Sequence, residues 1–202
     1  SIPLVVGYKD SVNYNADECA TIILKDDGEN VNGGRYLDRS ARNAVAAQVK
    51  KGAHLIVMQE AATRVHDDAA TFGWDLVLSA LVPARVDNVG QYWEPGIAKA
   101  SGIYSFQQNY FPGMKNFNVS GIEVVEVQPV NAANSLTPDR GQIIATIRTG
   151  IFETSVSYIA LLGRKNKGVV NDYYTFYFTY DPLLTENVFK RTIELTAEDS
   201  LA

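Results

Sequence analysis

The stretch that decides the fold runs Asp38-Arg-Ser-Ala-Arg-Asn-Ala-Val-Ala-Ala-Gln-Val-Lys-Lys-Gly52, then Ala53-His-Leu-Ile-Val-Met-Gln-Glu60. Asp38 or Ser40 can accept from the free amides of a first helical turn. Leu37, Ala41, Ala44, Val45, Gln48 and Val49 recur at helical spacing, which predicts one apolar stripe with Arg39, Arg42, Asn43 and Lys50 mostly outside it. Lys50 and Lys51 fall where cations suit the carbonyl end of a helix. Gly52 then stops the helix. Leu55-Ile-Val-Met58 follows at once, a short apolar run that fits a buried strand lying under the helix.

Upstream, Leu4-Val5-Val6 and Ala20–Leu24 read as strands, the second rich in β-branched residues. Asp26–Asn30 and Asn32–Gly34 are turn chemistry. Downstream, Val65, Ala69, Phe72, Leu76 and Ala80 share one helix face, which predicts a second helix over about 61–81. Trp74, Leu76, Leu78, Ala80 and Val82 also alternate as a strand would, and Gly73 would cost a helix about 1 kcal/mol. Pro83 ends the segment. Residues 87–118 are broken by glycine and proline and read as one long aromatic-rich loop.

The remainder is strand-rich. Ile122–Val127, Gln142–Thr149, Phe152–Leu162 and Val169–Tyr180 are the expected strands, and Arg164-Lys-Asn-Lys-Gly168 is a basic turn joining the last two as an antiparallel hairpin. In the last strand Tyr173, Thr175, Tyr177 and Thr179 point one way, and Tyr174, Phe176, Phe178 and Tyr180 the other. Phe189–Leu195 reads as a closing strand, and 196–202 as a frayed tail. The fold class expected is α+β: one domain over 1–202, a mainly antiparallel sheet or sandwich, with one or two helices (about 38–51 and 61–81) packed on one side.

The 202 residues are 46% hydrophobic and 20% charged, and carry a net charge of −5. These proportions are those of a globular chain able to build its own core. A broad nucleic-acid surface is not expected, because phosphate contacts need clustered Lys and Arg. The one cysteine, Cys19, rules out an intrachain disulfide and fits a reducing compartment. No apolar run is long enough to span a bilayer as a helix. Ser1-Ile-Pro-Leu-Val-Val has no signal-peptide pattern and suits a start from which an initiator methionine was removed, or a trimmed one.

Two histidines, His54 and His66, share a neighbourhood with Glu60, Asp67 and Asp68. Their spacing is not that of a metal site, so no metal or cofactor is expected. No Gly-x-Ser-x-Gly elbow, phosphate loop or paired-cysteine motif is present. Asn30-Val-Asn-Gly33, a helix, and then Leu55-Ile-Val-Met-Gln-Glu60 resemble the opening of the endonuclease/exonuclease/phosphatase family. That resemblance implies Glu60 as ligand to a catalytic divalent metal, with Asn30 beside it. The same family closes on a late histidine, and this chain has none beyond His66.

With no catalytic constellation in hand, the expected function is structural. The chain reads as a self-assembling subunit of a virus or phage particle, placed in a virion or in the cytoplasm of the producing cell. Its partners would be copies of itself and other particle proteins. Trp93, Tyr104, Phe106, Tyr110, Phe111 and Phe117 are the expected contact residues, since tyrosine and tryptophan favour interfaces. The alternatives are a divalent-metal phosphoesterase using Glu60, and a secreted binding or pore-forming module. Arg164, Lys165 and Lys167 form a basic hairpin tip that could meet an anion.

Overall fold

A computed structural model describes residues 21–25, 39–64, 73–74, 81–85, 96–130, 141–150, 155–169 and 171–200. The strand expected at Leu4–Val6 lies outside them. Helix α1 spans Arg39–Lys51 and strand β2 spans His54–Met58, close to the sequence reading. Gly52 turns the chain at φ 128°, and its amide donates to the Val49 carbonyl at 3.0 Å. The Ala53 amide reaches back to Gln48 at 3.2 Å, closing the last helical turn.

The buried side of α1 is rotated from the expected stripe. Arg42, Ala46 and Val49 are buried and Val45 is half-buried, whereas Ala44 faces solvent. Arg42 is only 3% exposed. Its aliphatic stem can lie along apolar surface, which a polarity count by residue does not register. The Ala41 side chain lies outside the described residues.

Strand β1, Thr21–Leu24, pairs with β2 in parallel, from Thr21 opposite His54 to Leu24 opposite Val57. The sheet is therefore mixed: the α+β class and the mainly antiparallel pairing hold, and the parallel pairing at this edge is what the expectation lacked. The cause is α1 itself: a helix between two neighbouring strands carries the chain back to the starting edge, so both strands run the same way. Strand β11, Tyr173–Phe178, also runs parallel to β2, with Thr175 opposite Leu55 and Phe178 opposite Met58.

Between these come β3 (Thr63–Arg64) paired with β4 (Gly73–Trp74), and β5 (Ala84–Arg85) paired with β8 (Gln128–Pro129). The other long strands are β6 (Gly96–Phe106), β7 (Phe117–Glu126), β9 (Gln142–Thr149) and β10 (Val156–Asn166). The main sheet has seven strands in the order β1-β2-β11-β10-β9-β6-β7, and every neighbour from β11 onward is antiparallel. It is one sheet and not a sandwich. The Val125 amide donates to Thr179 at 2.7 Å, so the outer strand curls back onto the end of β11.

Helix α2, Glu186–Ser200, replaces the expected closing strand and takes in most of the expected tail. Its buried threonines explain the misreading. Thr192 donates to the Val188 carbonyl at 2.9 Å and Thr196 to the Ile193 carbonyl at 2.8 Å, so both sit buried in a helix without an orphan hydroxyl. Thr21 donates to the Thr196 hydroxyl at 2.9 Å and ties the far end of α2 to β1.

The two helices lie on opposite faces, not on one side. Ala46 and Val49 of α1 pack with Leu55, Val57, Leu162 and Tyr177. Val188, Phe189 and Ile193 of α2 pack with Ile56, Met58, Phe176 and Phe178. Alternate residues of β2 and β11 thus feed different cores, and the parallel end of the sheet is a three-layer stack.

A continuous helix over 61–81 is absent. Gln59–Ala62 is a 3₁₀ turn, 63–64 and 73–74 are short strands, and Leu81 is in a turn. The intervening residues lie outside the described ones. Gly73, costly in a helix, sits instead in β4. The expected loop over 87–118 also holds ladder. β6 and the start of β7 take up 96–106 and 117–118, leaving 107–116 as the connection, while 87–95 lie outside the described residues. Glycines obscured this: Gly102, at φ 156° beside a bulge in β6, looks like a loop signal.

Candidate site at the carboxyl ends of the parallel strands

The three parallel strands β1, β2 and β11 end together. In open α/β sheets, ligands bind outside such carboxyl ends. Lys25 follows β1, Gln59 follows β2, and Asp181 lies three residues past the end of β11. The Lys25 ammonium stands 3.7 Å from the Asp181 carboxylate, an exposed pair joining the two strands that flank β2. Such a pair contributes at most about 1 kcal/mol, so its groups remain open to exchange partners.

Gln59 carries the sharpest local feature. Its φ is 46°, and among the described residues no other non-glycine has a positive φ. The chain leaves a fully buried strand, turns through this left-handed residue and enters the 3₁₀ turn Gln59–Ala62. The Tyr177 hydroxyl donates to the Gln59 carbonyl at 2.7 Å and fixes the turn from the neighbouring strand. A side chain on a strained strand-to-helix turn is lifted clear of the sheet, the geometry that presents nucleophiles in hydrolases. Here the lifted group is an amide, which donates and accepts hydrogen bonds and does not attack carbonyls. Glu60 is the next residue of the same 3₁₀ turn.

The apolar flank of this rim is the segment after β11. Asp181 accepts from the Leu183 amide at 3.0 Å and caps the short 3₁₀ turn Pro182–Thr185. Leu183 and Leu184 on that turn are exposed.

His54 sits at the other end of β2, four steps of roughly 3.3 Å from Met58. Its Nδ1 accepts from the Tyr174 amide at 2.8 Å and its ring stacks on Tyr174. An accepting Nδ1 requires the neutral ring with its proton on Nε2. His54 is thus a structural group between β2 and β11 and does not serve the rim.

The expected contact residues are placed differently from one another. Tyr104 and Phe111 are fully buried in the core on the α2 side. Phe106, Tyr110 and Phe117 are partly buried and packed against it. Tyr104 stacks on Phe117 with centroids 5.0 Å apart, and Tyr110 bonds to Gln142. The 107–116 connection is therefore a lid on the core, made of aromatics that the curled sheet would otherwise leave wet. Trp93 lies outside the described residues, as do Asn30, His66, Asp67, Asp68 and Cys19. Among the described residues no group of His, Cys, Asp and Glu could hold a metal.

Arg164 is no hairpin tip. It lies within β10, buried, with its guanidinium donating to the Leu81 carbonyl at 3.0 Å. Lys165 and Lys167 are exposed. The strand runs four residues past its expected end, which shifts the turn onward.

A buried polar chain lies behind the rim. Tyr180 donates to the Tyr104 hydroxyl at 2.9 Å and shares a 2.5 Å hydrogen bond with Thr185. Burial pushes the Tyr104 phenol well above its usual value and that of Tyr180 up to about 12, so both stay neutral donors. This chain links β6 to the turn behind Asp181 and fixes the apolar flank of the rim.

Lys25, Gln59 and Asp181 were not singled out from sequence. The signals were present but weak: a polar residue directly after an apolar run, and an Asp-Pro pair of helix-start type.

No protein-family model matches the chain, and no curated protein matches it in sequence. A solved structure that it resembles is that of a ThuA-like protein from Bacteroides uniformis. The likeness covers 92% of this chain and 71% of that one, at 9% identity and a TM-score of 0.50. At that identity it bears on the fold alone. No described helix is long and apolar enough to cross a membrane.

Proposed function

We propose that the chain is a non-covalent ligand-binding α/β domain. Its site is the rim of Lys25, Gln59 and Asp181 outside β1, β2 and β11, and its ligand is a small polar molecule. The observation that carries this reading is Gln59 in the left-handed region. A non-glycine there costs on the order of 1 kcal/mol or more, which glycine would avoid, so the amide side chain has a use at that point. The ammonium and carboxylate of Lys25 and Asp181 supply donors and acceptors on either side.

Gln59→Gly separates fold from function. It is expected to leave stability equal or raise it by up to about 1 kcal/mol, while removing the amide. Thermal shift against a panel of sugars, amides, carboxylates and nucleotides reads binding. The expected result is a class of compound that raises the Tm of the wild type and loses that effect in Gln59→Gly. A panel without any shift, or one whose shifts persist in the variant, ends the reading.

Self-assembly is the second proposal, and its support is now a different surface. Apart from Val125, whose amide is taken by the Thr179 carbonyl, β7 has a ladder partner in the main sheet on one side only among the described residues, and Ile97 and Ile103 of β6 are exposed. The stretch of such an edge that is left open can template pairing with another copy. Size-exclusion chromatography at high concentration should then show a species larger than the 22.2 kDa chain. A strictly monomeric profile counts against it.

A further inference from the structure

The opposite end of the sheet carries a second surface, independent of the rim. The turn between β10 and β11 is docked on the carbonyl end of α1. Val169 donates to the Lys50 carbonyl at 2.9 Å and Asn171 to the Lys51 carbonyl at 3.4 Å. These bonds satisfy helix carbonyls that would otherwise face water. They also fix Lys50 and Lys51 beside the turn that carries Lys167 and follows Lys165. All four lysines are exposed, in a chain whose net charge is −5.

At the tip of this turn Val169 is 86% exposed, the highest value among the exposed large hydrophobics of the described residues. Gly168 precedes it and Val170 follows in the sequence. Behind the tip, the Lys165 ammonium lies 5.4 Å from the centroid of Tyr174, whose ring also stacks on His54 and Phe176. The result is an apolar point with cations near its base, on a turn that ends at the exposed Asp172.

We propose that this end of the molecule binds peripherally to an anionic lipid surface. The lysines would meet phosphate and carboxylate headgroups, and the valine tip would enter the interfacial layer. Basic groups near such a surface each strengthen binding severalfold, and an apolar insertion adds to that. The valine decides for lipid over nucleic acid. A nucleic-acid backbone would use the lysines alone, whereas an interfacial lipid layer takes up an aliphatic point and the cations together; an acidic protein is separated by the test below.

Co-sedimentation with vesicles tests this. The wild type should pellet with vesicles that are one-third phosphatidylserine in phosphatidylcholine, stay in solution with pure phosphatidylcholine, and release as salt rises. Lys167→Glu combined with Val169→Asp should lower binding at least tenfold, with far-UV circular dichroism and Tm unchanged, since both side chains are exposed. Lys167→Arg should keep it. Failure to pellet with the anionic vesicles, or equal pelleting of the double variant, overturns the proposal. So does binding to polyglutamate or DNA that Lys167→Glu abolishes and Val169→Asp leaves intact, which would assign the surface to an acidic macromolecule. Gln59→Gly should not change vesicle binding, so this result and that for the rim stand apart.

Discussion

Phe178→Ala is expected to lower the unfolding free energy by about 3–5 kcal/mol, the range for removing a buried aromatic ring. Phe178 is fully buried at the end of β11, opposite Met58 on one side and Leu161 on the other. Its ring meets Tyr180 and Phe189 edge-on, with centroids 5.8 and 6.0 Å away. Deleting it opens a void where the parallel strands, the antiparallel strands and α2 meet, and none of these can collapse into it alone. A total stability of roughly 5–15 kcal/mol would leave the variant close to unfolding. In urea the midpoint should fall with the slope unchanged. A loss below 1 kcal/mol would mean that α2 is not packed on this face. Phe178→Leu, which keeps part of the volume, should lose less.

Gly102→Ala is the second large effect, expected at about 3 kcal/mol or more, the upper end for single substitutions. A Cβ at this position would stand 2.0 Å from the Arg148 carbonyl oxygen and 3.1 Å from the Thr149 Cα, both backbone atoms of β9. Backbone in the middle of a ladder cannot swing aside as a side-chain tip can. The φ of 156° adds strain for any residue with a Cβ. β6 would have to lift away from β9, which breaks the register from Ile103–Arg148 onward. Gly121→Ala is the internal control. It has a positive φ of 66° but open space around its Cβ, so it should cost only the conformational strain, about 1–2 kcal/mol. Equal losses in the two variants would show that crowding against β9 is not the cause. Urea unfolding of both measures the difference.

The sequence was most legible where local signals agree. α1, its Gly52 stop and β2 carry caps, spacing and apolar runs that point the same way. β9 falls where Gln142–Thr149 was read. The alternation of Tyr173, Thr175 and Tyr177 against Phe176, Phe178 and Tyr180 maps onto the two cores. The direction of pairing was not legible, because the parallel contact of β2 with β11 joins residues about 120 apart and leaves no local trace. α2 was missed because threonines at helical spacing look β-prone until their hydroxyls are seen to bond carbonyls one turn back. The rim was missed because its three groups come from strand ends far apart in sequence. The backbone angle that marks Gln59 has no signature in residue type.

The strand that joins the two halves of the sheet is the last to be synthesised. β11 fills the slot between β2 and β10, so until residue 178 has emerged the βαβ unit at one end and the antiparallel arm at the other share no backbone hydrogen bonds across that gap. Folding must therefore wait on its most distant pairing, the kind of topology that forms slowly. During translation the nascent chain presents two open edges, those of β2 and β10, and it is at this stage, rather than in the finished molecule, that the protein is most exposed to misassociation.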